Sequence, residues 1–441
     1  MTPGARAQAA IEILDAVAAA RSGRGGTPAD AVVNAYVRAR RYIGSKDRVA
    51  IAGLVYAVLR HRAQLDWWIA RACEGARIAR YRVLGALALI EGWSLDQVET
   101  AFDGGKFRPA PLAGAERRLV EALAGHTFEH PEQPEAVRFN CPEWLLPELR
   151  ERFGSDLEAE MRALAVPAST DLRANALKGG RTEAAAALAA SGIKTTETPL
   201  SPVGLRVEGR RNVLAHDAFR TGLVEVQDEG SQLAALLVGA RPGARICDFC
   251  AGAAGKSLAM AAAMGNKGHI VACDVSGPRL ESAVKRLRRA GAHNVECRHL
   301  DSERDAWVKR HAGAFDRVLV DAPCSGTGTW RRNPDARWTL SRDDVAELRE
   351  LQARILASAA RLVKPGGRLV YATCSLLPAE NERQAEAFAA GGEFTAVPIS
   401  TVWGETIGGA CPSPDPWLRL SPARHGTDGF FVAVFERRGQ P

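Results

Sequence analysis

From about Val224 onward, short apolar runs alternate with amphipathic stretches, and this regularity restricts the fold more than any other feature of the sequence. Strand candidates are Ala244–Cys250, His269–Val275, Asn294–Leu300, Phe315–Pro323 and Gly367–Cys374, with Phe430-Phe-Val-Ala-Val-Phe as a last one. Helical stretches lie between them at Lys256–Ala263, Pro278–Arg289 and Asp344–Leu362, the last stopped by Pro365-Gly-Gly. An apolar run that ends abruptly in small and polar residues reads as a buried strand running into a loop. Strands and helices alternating at this spacing predict an α/β fold with a Rossmann-like, doubly wound parallel sheet. Ligands of such sheets bind outside the carboxyl ends of the strands, so the chemistry is expected there.

A chain of 441 residues is too long for one typical core and suggests two or three domains. The stretch from about Arg6 to Ala124 reads as a helical bundle. Ala9, Ile11, Ile13, Leu14, Val17 and Ala18 recur at helical spacing, as do Val49, Ile51, Leu54, Val55, Val58 and Leu59. Val83, Leu84, Leu87, Leu89 and Ile90 form a third stripe, and turn residues cluster between stripes, as in Ser22-Gly-Arg-Gly-Gly-Thr-Pro. The paired Trp67-Trp68 reads as helix packing rather than a base-stacking platform. His126–Pro147 carries four prolines and reads as a linker. A small α+β unit follows, with short strands at Leu172–Asn175, Gly204–Val207 and Asn212–Leu214 and a helix at Thr182–Ser191. The expected domains are helical over 1–138, small α+β over 139–222, and α/β over 223–441.

Through Arg82 the chain carries 14 Lys and Arg against six Asp and Glu, an excess of eight that is larger than the +7 of the whole chain. A basic module on a near-neutral remainder is a footprint for nucleic acid, although a solubilising surface gives the same excess. No apolar stretch is long enough to span a bilayer, and Met1-Thr-Pro-Gly-Ala-Arg has no signal-peptide core, so a cytoplasmic protein is expected. Its nine cysteines are then expected to stay reduced. Cys247 and Cys250 form a C-x-x-C, but no second pair follows at ligand spacing, so no metal site is expected.

The first strand of the α/β region ends Ile246-Cys-Asp-Phe-Cys-Ala-Gly-Ala-Ala-Gly-Lys-Ser. A phosphate-binding P-loop would need glycine at position 250, which is Cys250, so that reading fails on register. The loop fits better as the nucleoside-binding turn of a methyl-donor site, an acidic strand end followed by small residues that let a ligand approach the backbone. Such a turn expects a carboxylate ending the second strand for the ribose and one ending the third for the adenine. Asp274 and Asp301 stand at those two ends, although each could instead cap a helix.

Two further strand ends carry cysteines, Cys324 in Asp321-Ala-Pro-Cys-Ser-Gly-Thr-Gly and Cys374 in Ala372-Thr-Cys-Ser. Carbon 5 of a pyrimidine is a poor nucleophile until a thiolate adds to carbon 6 and makes it enamine-like. A second acid/base group must then help remove the carbon-5 proton and expel the thiolate. Asp321 is placed to stabilise charge developing at the ring nitrogen, and Lys256 could lower a thiol pKa or orient Asp321. Chemistry alone leaves the two cysteines interchangeable.

At these residues the chain closely resembles the Sun/Fmu (RsmB-like) family of bacterial RNA cytosine-5 methyltransferases. Gln227-Asp-Glu-Gly-Ser-Gln-Leu, Asp248-Phe-Cys-Ala, Asp321-Ala-Pro-Cys-Ser-Gly-Thr-Gly, Arg332-Asn-Pro-Asp, Ala372-Thr-Cys-Ser, Glu380-Asn-Glu and Asp428-Gly-Phe-Phe carry the likeness over roughly residues 140–437. The segment around Asp47-Arg-Val-Ala and Tyr56-Ala-Val-Leu-Arg-His-Arg looks like the NusB-like RNA-binding domain of one branch. The resemblance implies a class I methyltransferase sheet behind an RRM- or ferredoxin-like domain. It implies S-adenosylmethionine as donor, held by Cys250, Ala251, Gly252, Ala253, Ala254, Gly255, Lys256, Asp274, Arg279, Asp301 and Asp321. It also implies Cys374 as nucleophile, Cys324 as the group that helps release product, and small-subunit ribosomal RNA as the partner of a monomer. One departure stands out: the family loop reads Ala-Ala-Pro-Gly-Gly-Lys, whereas here Ala253 and Ala254 replace the Pro and the first of the paired Gly. If position 254 needs positive φ, alanine there costs about 1–2 kcal/mol. The rival readings are a non-catalytic RNA-binding or ribosome-assembly factor and a transfer RNA cytosine-5 methyltransferase.

Overall fold

The structure is a computed structural model that describes residues 1–20, 26–73, 78–209 and 211–439, so most of the turn predicted at Ser22 lies outside the described residues. Two compact units emerge, one formed by 1–166 with 330–340 and the other by 167–329 with the chain from 341 onward.

The first unit is helical, with helices Pro3–Ala20, Ala29–Ala39, Ser45–Arg60, Arg62–Ala72, Ala79–Leu89, Leu95–Ala101 and Gly114–Leu123 around one apolar core. Most of each predicted stripe is buried there. Val49 instead is 61% exposed, because two residues from Ile51 is more than half a turn around the helix. Ile90 lies just past the end of its helix and is 39% exposed. Trp68 is buried and donates its indole N–H to the Phe128 carbonyl.

His126–Pro147 is not a free linker. It contains helix Glu135–Arg138, and its Phe139, Asn140 and Cys141 are buried. The Asn140 amide oxygen accepts from the backbone N–H of Ala63 and Gln64 at 3.0 and 3.3 Å. The prolines there set turns in a packed segment instead of keeping it apart.

Residues 330–340 come from far along the chain yet belong to this helical unit. The side chain of Arg337 is fully buried, its guanidinium donating to the Asn140 and Leu164 carbonyls and lying 4.7 Å over the Trp330 ring. Asp335 accepts from the Ala29 N–H, and Trp338 donates to the Leu59 carbonyl.

The second unit holds two sheets. The smaller contains β1 (Thr170–Ala174), β2 (Thr195–Glu197), β3 (Gly204–Val207) and β4 (Val224–Val226), antiparallel in the order β2-β3-β1-β4. The predicted strand Asn212–Leu214 is a turn of 3₁₀ helix, Val213–Ala215, whose amides bond locally rather than to a neighbouring strand.

The larger sheet contains β5 (Arg245–Asp248), β6 (His269–Asp274), β7 (Val295–His299), β8 (Phe315–Asp321), β9 (Val363–Thr373), β10 (Phe394–Val397), β11 (Leu418–Leu420) and β12 (Phe430–Arg437). Its order is β10-β12-β9-β8-β5-β6-β7, with β11 paired to β12. Strands β5 to β9 are parallel, as the strand–helix alternation predicts, and form a Rossmann-like core. The sheet as a whole is mixed, because β12 runs antiparallel between β9 and β10. The run Phe430–Phe435 is buried throughout, as suits a strand covered on both faces. All five parallel strands deliver their carboxyl ends to one edge.

Candidate active site

The register of β8 and β9 explains how two cysteines 50 residues apart meet. Asp321, the last residue of β8, stands opposite Ala372 of β9; Cys324 follows three residues after the one and Cys374 two after the other. The Cys324 and Cys374 sulfurs lie 3.4 Å apart, both half-buried. The two loops are stitched together by the Gly328 N–H, which donates to the Cys374 carbonyl at 2.9 Å. A Cβ at Gly328 would sit 2.3 Å from the Gly429 carbonyl oxygen, so this approach admits only glycine. The hydrogen bond with Cys374, and then burial, push the Cys324 thiol well above its ordinary pKa.

Lys256, in the first turn of helix Gly255–Ala263, reaches Asp321 with its ammonium 2.6 Å from Oδ2. Burial alone would lower the lysine pKa, but the charge and hydrogen bond of Asp321 outweigh it and hold Lys256 above its ordinary value. Of the two roles expected for Lys256, orienting Asp321 is the one this contact favours.

The loop Cys250–Gly255 joins β5 to that helix. The Asp274 carboxylate accepts from the backbone N–H of Gly252 and of Ser276, both at 2.7 Å, and so ties the loop to the end of β6. Asp248 is buried at the end of β5, one oxygen receiving the Ser257 hydroxyl at 2.6 Å and the other without a hydrogen-bond partner. Burial drives its pKa up to about 7. Ala254 has φ +57°, the left-handed conformation that glycine adopts without strain.

Residues 235–436 match the family described as 16S rRNA methyltransferase RsmB/F, and residues 141–214 match the ferredoxin-like domain of RsmF/B-like methyltransferases. A probable ribosomal RNA small subunit methyltransferase B of Synechocystis sp. is 33% identical over 413 residues, covering 89% of this chain and 91% of its own. Ribosomal RNA small subunit methyltransferase B of Vibrio cholerae is 31% identical, covering 92% of this chain and 93% of its own. The crystal structure of the protein PH0851 has a TM-score of 0.80 to this chain at 26% identity, covering 99% of each. The chain belongs to the RsmB/F family of 16S rRNA methyltransferases. It is an S-adenosylmethionine-dependent RNA methyltransferase.

The donor loop of this RsmB/F chain fits that cofactor. A side chain built at Gly252 would meet nothing within 4 Å, which leaves open space above the loop. The unpartnered Asp248 oxygen lies at the same strand edge. Asp301 has a freely exposed carboxylate, and the helix after it is capped instead by Asp305, which accepts from the Trp307 N–H. The cap reading of Asp301 therefore passes to Asp305. Arg279 is exposed in the first turn of helix Gly277–Ala290. Cys247 and Cys273 lie in the apolar core between the strand ends.

Sequence reasoning assigned no role to Glu380. Its side chain is fully buried and accepts the Ser325 N–H and the Gln352 amide at 2.9 Å each, the Ser375 hydroxyl at 2.5 Å, and the Ser325 hydroxyl. Ser325 and Ser375 are the residues that follow the two cysteines, so one carboxylate pins both loops. Gln352 also donates to the Pro323 carbonyl at 3.0 Å, just before Cys324. The available signal was its place in Glu380-Asn-Glu, one of the runs that carry the family likeness.

Proposed function

We propose that the protein methylates carbon 5 of a cytosine in small-subunit ribosomal RNA through a covalent adduct on Cys374. The observation that carries this reading is the pair of thiols 3.4 Å apart beside the Lys256–Asp321 ion pair. The Cys374 thiolate adds to carbon 6 of the base, which makes carbon 5 a nucleophile. Asp321, oriented by Lys256, faces the ring nitrogen, and the pair supplies a proton as charge develops there. S-adenosylmethionine supplies the electrophilic methyl group. The loop Cys250–Gly255, with Asp274, Arg279 and Asp301, would hold that donor. Carbon 5 then loses its proton to water, the freed pair closes the carbon 5–carbon 6 double bond as the carbon 6–sulfur pair returns to Cys374, and the ring nitrogen hands its proton back to the Asp321–Lys256 pair. Cys324, whose sulfur lies 3.4 Å from that of Cys374, helps release the product by donating its S–H to the departing Cys374 thiolate.

The basic helical unit is the NusB-like, RNA-binding part of this reading; it contains the expected domain 1–138 but runs to residue 166 and takes in 330–340, ahead of the expected domains 139–222 and 223–441. A cytoplasmic monomer completes it; no helix among the described residues is long and apolar enough to cross a membrane.

Incubating a 16S rRNA transcript with the protein and S-adenosylmethionine, followed by bisulfite sequencing, should reveal one newly protected cytosine. A transcript that gains methyl groups without any protected cytosine would overturn the carbon-5 assignment.

A further inference from the structure

Helix Gly277–Ala290 presents Lys285, Arg286 and Arg289 to a cavity of about 470 Å³ that opens beside the donor loop at Ala253. Strand β4 of the ferredoxin-like sheet supplies Glu225 to the same wall. Glu225 is buried and receives Arg286 Nε at 2.8 Å and an Arg289 terminal nitrogen at 2.5 Å. Arg173 of β1 lies behind, buried, with its Nε on the Gln227 amide oxygen at 2.6 Å and Glu225 and Arg286 acting on its charge.

Two guanidinium groups thus share one carboxylate, which leaves an excess of positive charge on the cavity wall. Buried charge is costly unless it is paired. Arg289 has further unused capacity: its Nε is buried without a hydrogen-bond partner while its guanidinium lies 4.0 Å over the Phe219 ring. Lys285 stands exposed at the rim and adds another cation, and Glu225 is the only carboxylate among the described lining residues. Planar guanidinium groups and a lysine around an open cavity suit phosphate oxygens, with Arg giving forked contacts and Lys a point charge. The Arg286 guanidinium also donates to the Ala253 carbonyl at 3.3 Å, which links the cavity to the loop beside the proposed chemistry.

We propose that this cavity binds one or two successive backbone phosphates of the substrate RNA, fixing the strand where the ferredoxin-like sheet meets the donor loop. The proposal rests on the ribosomal RNA reading above and adds a docking point to it. The test measures binding of the full chain to a 16S rRNA transcript over a range of salt concentrations. Lys285→Glu should weaken binding by about tenfold, the loss expected for one charge-assisted contact. It should also reduce the slope of log K against log salt by about one, because one fewer phosphate is neutralised. Lys285→Arg should restore both, and S-adenosylmethionine affinity should stay as in the unaltered protein. Arg288→Ala removes an exposed cation of the same helix outside the cavity, and should change little. Wild-type affinity and slope in Lys285→Glu would overturn the site while leaving the RNA reading intact, and so would an equal loss in Arg288→Ala. Failure of the unaltered protein to bind or methylate the transcript would overturn the RNA reading, and the site with it.

Discussion

Two cysteine pairs sit on neighbouring parallel strands of the same sheet, and only one of them is placed for chemistry. Cys247 of β5 and Cys273 of β6 lie within their strands, fully buried among apolar side chains. Burial, and then a hydrogen bond to Cys273, drive the Cys247 thiol far above its ordinary pKa, and no substrate can reach it. Cys324 lies three residues past the end of β8 and Cys374 one past the end of β9, both half-exposed, with the Asp321–Lys256 pair and the Glu380 anchor around them. Residue type and strand adjacency are the same in both pairs. Position relative to the strand end, and the polar groups that gather there, make the difference.

The comparison breaks most sharply under substitution. Cys374→Ala should reduce methyl transfer to 16S rRNA to the detection limit without lowering the melting temperature. Cys247→Ala should do the reverse, keeping turnover while losing about 1 kcal/mol of stability in thermal or urea unfolding. Equal turnover in both variants would erase the distinction drawn between the pairs.

Glu380→Gln tests whether the outer pair depends on its anchor. A glutamine is nearly isosteric, but its amide N–H₂ faces donors that the carboxylate accepted. The cysteine loops should shift, and turnover should fall by about a hundredfold, the scale of a 1 Å misplacement at a reacting centre. Cofactor affinity by calorimetry should be unchanged, since Glu380 contacts neither the donor loop nor Asp274. Unchanged turnover would show that the two loops hold their geometry without the carboxylate.

The smallest effect is expected at the donor loop. Ala254 holds a left-handed conformation in a fully buried site. Ala254→Gly should raise stability by no more than about 1 kcal/mol, because relief of backbone strain is partly offset by the lost methyl group and the added chain entropy. A loss of stability would mean that methyl packing outweighs the strain.

Most of the central parallel strands were legible in the sequence because they contain short apolar runs ending in small or polar residues, and those endings pointed to Asp248, Asp274, Asp321, Cys324 and Cys374; β7, Val-Glu-Cys-Arg-His, was legible only from its place in the alternation. The condition raised for position 254, a positive φ where the family has glycine, is met by Ala254. Other parts left no local trace. Strands β2, β4 and β11 are three residues each, too short to set up a period, and they depend on their neighbours in the sheet. Val213 mimicked a strand residue through a single buried side chain. The incorporation of residues 330–340 into the helical unit depends on Arg337 finding carbonyls some 170 to 200 residues away, which no pattern within the segment encodes. Glu380 was hidden for the same reason: its meaning lies in the four donors that folding brings to it.

The central claim is that Cys374 bonds to the base and Cys324 lets it go. Single-turnover incubation of Cys324→Ala with 16S rRNA and S-adenosylmethionine, run on a denaturing gel and followed by mass spectrometry of the digested complex, tests it most directly. The account predicts a stable protein–RNA band whose cross-link maps to Cys374 and disappears in the Cys324→Ala/Cys374→Ala double variant. A cross-link at any other residue, or no adduct while methylation continues, would contradict it.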